Sequence, residues 1–462
     1  MSIIDINTAL LNFSDVDPWT VKDSFEGVQI FGGTGSGKTS GSGAVIARAM
    51  LDNAYGGLVL TVKKDECRQW QEWAAATGRS ESVFIMKPDS EFIFNFMDYE
   101  SSRGDESDTE TVVNLFMSVI EIANSGKIAG KEAYWVLALR QMLRNAVDVL
   151  KCAKNSISIF DMYRLILSAP QSNIDVKSKD FKTESFCFEM MQKAALNESE
   201  NPYPDLEISL LYWMKEFPNI AEKTRSIIVS MFTTTADAFL RGNLKKLFDG
   251  KTNLPPEYSQ EGAIIILDLP VKEYGITGRI AQSIYKLVWQ QAMERRDIDE
   301  NTRPVFLFAD EAQNFISGYD VEYQQTARSS RIASVYLSQN ISNYHVALSS
   351  PDHANSILGN LSTKIFHSNS DVKTNNWASE IFGKTMQDIT GFGQNRDAEA
   401  GTSSTSVNVN KQLQYLVEPL EFTTLSNGGL SNNLLVESIV HQSGRIWNIT
   451  GSNYLRATFK QK

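Results

Sequence analysis

Short runs of aliphatic and β-branched residues recur along the chain at residues 28–31, 58–62, 83–86, 263–267, 305–308, 335–337 and 364–366. Each is continuously apolar rather than alternating, as expected of strands buried on both faces of a parallel sheet. Helical spacing of apolar residues falls between many of them. Strand and helix taking turns in this way predict a doubly wound α/β domain with a mostly parallel central sheet.

Residues 109–236 follow a different pattern. Val112, Val113, Phe116, Val119 and Ile120 share one helical face, as do Trp135, Leu139, Met142, Leu143, Ala146 and Leu150. Ser158 stands three residues ahead of Asp161 and another apolar-periodic run, which predicts a helix cap. Strand-like runs are scarce here. The pattern predicts an all-α domain over 109–236 inserted into a nucleotide-binding domain formed by 1–108 and 237–462. Residues 98–110, rich in acid and serine, read as a solvated connection. The polar stretch 395–411 reads as a surface loop.

The 462 residues are 42% hydrophobic and 21% charged, so a large core is within reach. A formal charge of −11 argues against a protein that coats nucleic acid over its whole surface, although a locally basic inner surface is compatible with it. Cys67, Cys152 and Cys187 are far apart and form no CxxC, which fits a reduced, cytoplasmic setting. No apolar run approaches the roughly 20 residues needed to span a bilayer, so contact with a membrane is expected only through a partner. His345, His353, His367 and His441 form no compact ligand set, and no structural zinc is expected.

The most specific chemistry lies early. Gly32, Gly33, Thr34, Gly35, Ser36, Gly37, Lys38 and Thr39 match GxxxxGK[ST], with a strand before them and an apolar helix after. Glycines let backbone N–H groups turn inward around a phosphate, and the helix N-terminus adds a favourable dipole. Lys38 is expected to reach the β- and γ-phosphates of ATP and Thr39 to hold Mg²⁺, with Ser40 completing the binding stretch. A second element, 303–311, is an apolar strand that ends in Asp310 and Glu311. Asp310 is the expected metal ligand and Glu311 the residue that orients or deprotonates the attacking water. Gln339, at the tip of the next strand, can sense the γ-phosphate. This order of P-loop, acidic pair and glutamine indicates a RecA-like P-loop motor rather than a GTPase or a small-molecule kinase. Arg328 and Arg331 precede the glutamine strand as candidates for an arginine that reaches a neighbour's γ-phosphate.

These residues resemble the type IV secretion coupling proteins (the TraG/TraD group) within the FtsK/HerA superfamily of DNA-pumping ATPases. The likeness runs from about Phe25 to the C-terminus. It includes Thr61-Val62-Lys63-Lys64-Asp65-Glu66 and Phe94-Asn95-Phe96-Met97-Asp98, the latter with Phe96 where the family has proline. Tyr134-Trp135 at the head of a helix, Thr224-Arg225-Ser226, Asp310-Glu311-Ala312, Gln339 and the segment 360–383 follow in the family's order. The resemblance implies a homo-hexameric ring that uses ATP to move DNA, in some cases as nucleoprotein with an attached relaxase. It assigns the trans-acting arginine to Arg328 and substrate contact to the helical insertion. The family's usual N-terminal membrane helices have no counterpart ahead of Gly32.

Two other readings stay open on the sequence: a HerA-like motor for DNA packaging, repair or defence, and an ATP-dependent adaptor that recruits protein without moving DNA. Lys177, Lys179 and Lys182 are the candidate DNA-phosphate contacts in the insertion, and binding is expected to be independent of base sequence.

Overall fold

The computed structural model describes residues 5–103, 109–123, 133–154, 156–198, 203–397 and 402–461. Residues 104–108 of the expected acidic connection, and 398–401 of the expected polar loop, lie outside the described residues. In chain order the strands are β1 (Ala9–Ser14), β2 (Asp17–Thr20), β3 (Val28–Phe31), β4 (Gly56–Leu60), β5 (Val83–Met86), β6 (Ile264–Leu267) and β7 (Val305–Ala309). They continue as β8 (Ile332–Ser338), β9 (Thr363–Phe366), β10 (Lys384–Asp397), β11 (Thr402–Tyr415), β12 (Leu435–Gln442) and β13 (Tyr454–Lys460). Every apolar run singled out in the sequence lies on a strand, with ends shifted by no more than three residues. Strands β1, β2 and β10 to β13 carried no such run.

The chain divides into two compact units, one of residues 51–333 with 347–349 and the other of 5–50, 334–346 and 350–462. In the first, β4 pairs in parallel with both β7 and β6, and β6 pairs in parallel with β5. The inner strands are buried along their whole length, which explains the unbroken apolar runs. Gly57 lets two strands lie against an aromatic ring, since a Cβ there would come within 2.6 Å of the Phe306 side chain. Phe306 in turn stacks on Trp70.

Between β5 and β6 the described residues form helices and no strand. Thr109–Ala123, Ala133–Ala153 and Glu222–Ala236 are the longest of them, and Ser158 with Asp161 makes the expected capping box at Ile159–Leu167. Asn95 shows what the Phe94–Asp98 motif does. Its carbonyl caps the helix Phe96–Ser101, while its amide donates to the carbonyls of Ile157 and Gly250. Phe96 takes the first helical position, where proline is favoured, and is fully buried against Phe239 and Phe248. Packing there replaces a preset backbone angle.

In the second unit, β3 lies between β8 and β9 in parallel register, and β12 runs antiparallel to both β9 and β13. An aromatic cluster of Phe31, Phe366, Trp377, Phe382 and Phe422 fills one part of its core. The expected loop at 395–411 is corrected here: β10 and β11 form an antiparallel two-stranded ribbon, paired from Lys384↔Tyr415 to Asp397↔Thr402. Met386, Leu413, Phe392, Val407 and Val409 on it are exposed. A strand exposed on both faces gives no burial signal, so a Ser/Thr/Asn-rich ribbon reads as a loop.

One buried ion pair anchors the first unit. Lys286 on the helix Val271–Glu294 lies 2.6 Å from Asp320 and donates to the carbonyl of Phe315 at 2.9 Å. Asp320 also accepts from Gln290 and from the backbone of Ser317. Both charged side chains are almost fully buried. Lys286→Met is therefore expected to destabilise the protein by about 3–5 kcal/mol, because it strands the Asp320 charge. Adding Asp320→Leu should recover much of that loss, and chemical denaturation of the single and double variants measures both.

Candidate functional site

The turn after β3 is held by the strand tips on either side of it. Gly32 N–H donates to Ser338 O at the end of β8, and Gly33 N–H to Ser368 O just past β9. Ser36 N–H closes the turn on Gly33 O. Gly35 and Gly37 have φ of +76° and +83°, a region that L side chains avoid. Gly37 has a second reason to be glycine: a Cβ there would lie 2.6 Å from a methyl of Val436 on β12. The chain then enters a helix through a wide turn, Thr39–Gly43, that continues as Ala44–Asp52.

Lys38 is buried at 7% exposure. The Ser36 hydroxyl is buried and has no hydrogen-bond partner among the described residues. A buried orphan oxygen inside a glycine turn at a helix N-terminus suits a phosphate group, whose oxygens would satisfy it. Gly33, Thr34 and Ser36 line a polar cleft of about 570 Å³ together with Gln339, Asn340, Ser368, Asn369, Asp371, Thr423 and Asn427. Gln339 thus shares this cleft with the P-loop, and Asn369 fixes its backbone by donating to its carbonyl at 2.8 Å.

Two supports of this loop were not legible in the sequence. Gln461 donates to the Ser40 hydroxyl at 2.5 Å and accepts from Gly429 N–H at 2.8 Å, tying the segment after β13 to the phosphate helix. His367 lies fully buried beneath the loop, with Nδ1 2.9 Å from Glu437 O and Nε2 2.7 Å from the Ser42 hydroxyl. A carbonyl can only accept, so Nδ1 carries the proton and Nε2 accepts from Ser42. Burial, with a smaller contribution from the nearby Lys38 charge, lowers the His367 pKa to about 4. The imidazole is neutral at physiological pH.

The acidic pair belongs to the first unit. Strand β7 delivers Asp310 at its buried end, and one Asp310 oxygen accepts from Glu311 N–H at 2.9 Å. Glu311 turns in the left-handed region, with φ 54° and ψ 50°, a conformation that costs on the order of 1 kcal/mol for a residue with a side chain. Gln313 holds its carboxylate at 2.9 Å, and Asn314 holds its carbonyl. The other Asp310 oxygen lies 3.3 Å from Lys63 Nζ, and Glu66 Oε1 lies 3.5 Å from the same ammonium. Glu66 Oε2 accepts from the backbone of Val62 and Lys63. Burial and the Asp310 charge raise the Glu66 pKa to about 7. Burial also opposes the Lys63 charge, but Asp310 and Glu66 outweigh it and raise its pKa.

The remaining candidates separate on structure. Arg331 donates to the carbonyls of Glu300 and Thr302, so its guanidinium braces a turn. Arg328 is exposed in the turn ahead of β8. Arg296 secures that turn by donating to Ser330 O and Arg331 O. Lys177, Lys179 and Lys182 are exposed on two short helices, Asn173–Lys177 and Lys179–Glu184. Asp175, Asp180 and Glu184 share those helices, so three lysines meet three acids and the segment is formally neutral.

Comparisons with known proteins bear on the family and the fold. A sequence model of the family described as type IV secretory system conjugative DNA transfer matches residues 6–429. No protein with a curated description matches by sequence. Among solved structures, the bacterial conjugative coupling protein TrwBdeltaN70 aligns with a TM-score of 0.63 at 13% identity, over 100% of this chain and 90% of its own. The plasmid coupling protein TrwB in complex with ADP and Mg²⁺ gives 0.57 at 14% identity, over 96% and 87%. VirB4 of Thermoanaerobacter pseudethanolicus gives 0.50 at 11% identity, over 95% and 90%. At these identities the likeness establishes a shared RecA-like α/β fold. No helix among the described residues is long and apolar enough to cross a membrane.

The buried imidazole gives a pH test. His367 takes up a proton near pH 4 when folded and near 6.5 when unfolded, so the unfolded chain binds more protons between those values. Stability from this group is complete above pH 6.5 and falls as the pH drops. The difference between 6.5 and about 4 corresponds to about 3 kcal/mol. Glu66, with its raised pKa, acts in the opposite sense, losing stability as pH rises from 4.5 towards 7. That contribution cancels between wild type and His367→Gln. Denaturation at pH 7 and pH 4 should show wild type losing about 3 kcal/mol more than the variant.

Proposed function

The chain belongs to the type IV secretory conjugative DNA-transfer family, and from that premise we propose that it is an ATP-driven motor that moves DNA or nucleoprotein through a ring of six copies. The observation that carries the nucleotide half of this reading is the buried, unpartnered Ser36 hydroxyl in a glycine turn that opens on a polar cleft. The phosphates fall to the backbone of 32–37 and to Lys38, Thr39 and Ser40. Lys38, buried at the base of the loop, is the charge for the β- and γ-phosphates. Thr39 and Asp310 are the oxygen donors for magnesium, a hard cation that prefers such ligands. Magnesium bound with the nucleotide would neutralise phosphate charge as the terminal group leaves.

The other steps belong to the protein. Glu311, aimed by its left-handed turn and held by Gln313, takes a proton from the attacking water. Gln339 reads the terminal phosphate from the tip of β8. Arg328, exposed beside a turn braced by Arg296, serves a neighbouring copy's site. Residues 109–236 form the substrate-facing insertion, with Lys177, Lys179 and Lys182 as candidate contacts. The lysines' acidic neighbours predict weak, sequence-independent attraction. A relaxase-bound DNA strand is the substrate class, and the motor works on the cytoplasmic side, meeting the membrane through a partner.

Two experiments test this reading. DNA should raise the steady-state ATPase rate of the wild type. Lys38→Ala should abolish nucleotide binding, and Glu311→Gln should retain ATP while turnover falls by about 10²–10⁴-fold. A rate indifferent to single- and double-stranded DNA would favour a protein-recruiting adaptor. In the second experiment, inactive Arg328→Ala subunits are mixed with inactive Lys38→Ala subunits. Partial recovery of ATPase activity is expected, because an intact Lys38 site can receive Arg328 from its neighbour. Mixed assemblies as inactive as either parent would remove Arg328 from the site.

A further inference from the structure

The Lys63–Asp310 contact is unusual in where it falls. A carboxylate with the role of metal ligand already has a cation on one oxygen, supplied by the turn after β4 and 247 residues distant in sequence. The two partners differ in freedom. Asp310 is 3% exposed and its second oxygen is fixed by the Glu311 N–H, whereas the Lys63 side chain is 35% exposed. The adjacent Lys64 is 87% exposed and lies 4.0 Å from Glu273, so the Asp310 contact is particular to Lys63.

Three carboxyl groups, Asp310, Glu311 and Glu66, act on this one ammonium. Without it, their combined field would draw a bare divalent cation to Asp310. With it in place, a dication arriving at Asp310 would meet a like charge within a few ångströms. A dication that arrives already bound to a polyphosphate brings its own compensating negative charge. The flexible, partly exposed lysine can then swing towards solvent.

We propose that Lys63 is an order-of-binding gate, an ammonium that occupies the Asp310 carboxylate so that divalent metal enters only as its nucleotide complex. This rests on the reading of Asp310 as the metal's acidic ligand. It assigns Lys63 a positioning role, acting through Asp310, and gives the Lys63–Glu66 turn a function beyond packing. Glu66 serves the gate by holding the turn, since its carboxylate accepts from the Val62 and Lys63 N–H groups at 2.6 and 3.2 Å.

The test uses the full chain without nucleotide and Mn²⁺ as the probe, followed by electron paramagnetic resonance and calorimetry. Wild type should show no saturable Mn²⁺ site. Lys63→Met should gain one, with at least tenfold tighter binding, and Lys63→Met/Asp310→Asn should lose it again. Lys63→Arg, which keeps the charge, should behave as wild type. Lys63→Gln is the second uncharged variant if the methionine substitution impairs folding, and it should match the gain expected for Lys63→Met. Superimposable Mn²⁺ isotherms for wild type and the folded uncharged variant would overturn the gate. So would a new site that survives Asp310→Asn. The underlying assignment is checked separately. If Asp310→Asn alone leaves Mn²⁺–ADP affinity unchanged, the reading of Asp310 fails and the gate falls with it. If that affinity drops while Lys63→Met gains no site, only the gate is wrong.

Discussion

The phosphate turn is closed by a contact that leaves no room for one additional carbon. A Cβ on Gly37 would sit 2.6 Å from Val436, and one on Gly41 would sit 3.3 Å from the same side chain. Strand β12, almost four hundred residues downstream, therefore sets the shape of a loop encoded near the start of the chain. His367 and Gln461 fasten the same two regions through Ser42 and Ser40. The shape of the loop thus depends on contacts from the C-terminal strands of the same unit.

In the first unit the limiting factor is buried charge. Asp310 and Glu66 are both removed from water, and transfer of an uncompensated carboxylate to such surroundings costs several kcal/mol. Lys63 offsets part of that cost, less fully at Glu66, whose pKa stays raised, and the backbone N–H groups of Val62, Lys63 and Glu311 donate to the two carboxylates. Lys286 and Asp320 repeat the solution on the next segment, where they fix the turn that follows Glu311. The acidic pair is thus held by contacts within its own unit.

What could be read from the sequence was local. The glycine turn, the apolar strand ending in Asp310 and Glu311, and the capping box at Ser158 each need only a few neighbouring residues. The partners that complete them are distant: Lys63 for Asp310, His367 for Ser42 and Gln461 for Ser40 are separated by 247, 325 and 421 residues. Nothing in the composition around Gln461 or His367 marks them, because a buried amide or imidazole is recognised by its partners and not by its neighbours in sequence. The family resemblance favoured Arg328 over Arg331 in the sequence, and the carbonyls of Glu300 and Thr302 that Arg331 braces could be found only in the structure. The three lysines at 177–182 share their two short helices with three acids, a pairing present in the sequence itself.

The ribbon of β10 and β11 introduces leverage. It is rooted where Leu416 N–H donates to Gly383 O, and Gly383 has φ of +86° with open space around its α-carbon. Along a strand that rises about 3.4 Å per residue, the exposed Phe392–Val407 pair lies roughly 30 Å from that root. A rotation of about 10° at Gly383 would carry the pair through about 5 Å, more than the spacing between neighbouring strands. A glycine at the base of so long an arm turns a small change in backbone angle into a displacement of side-chain size.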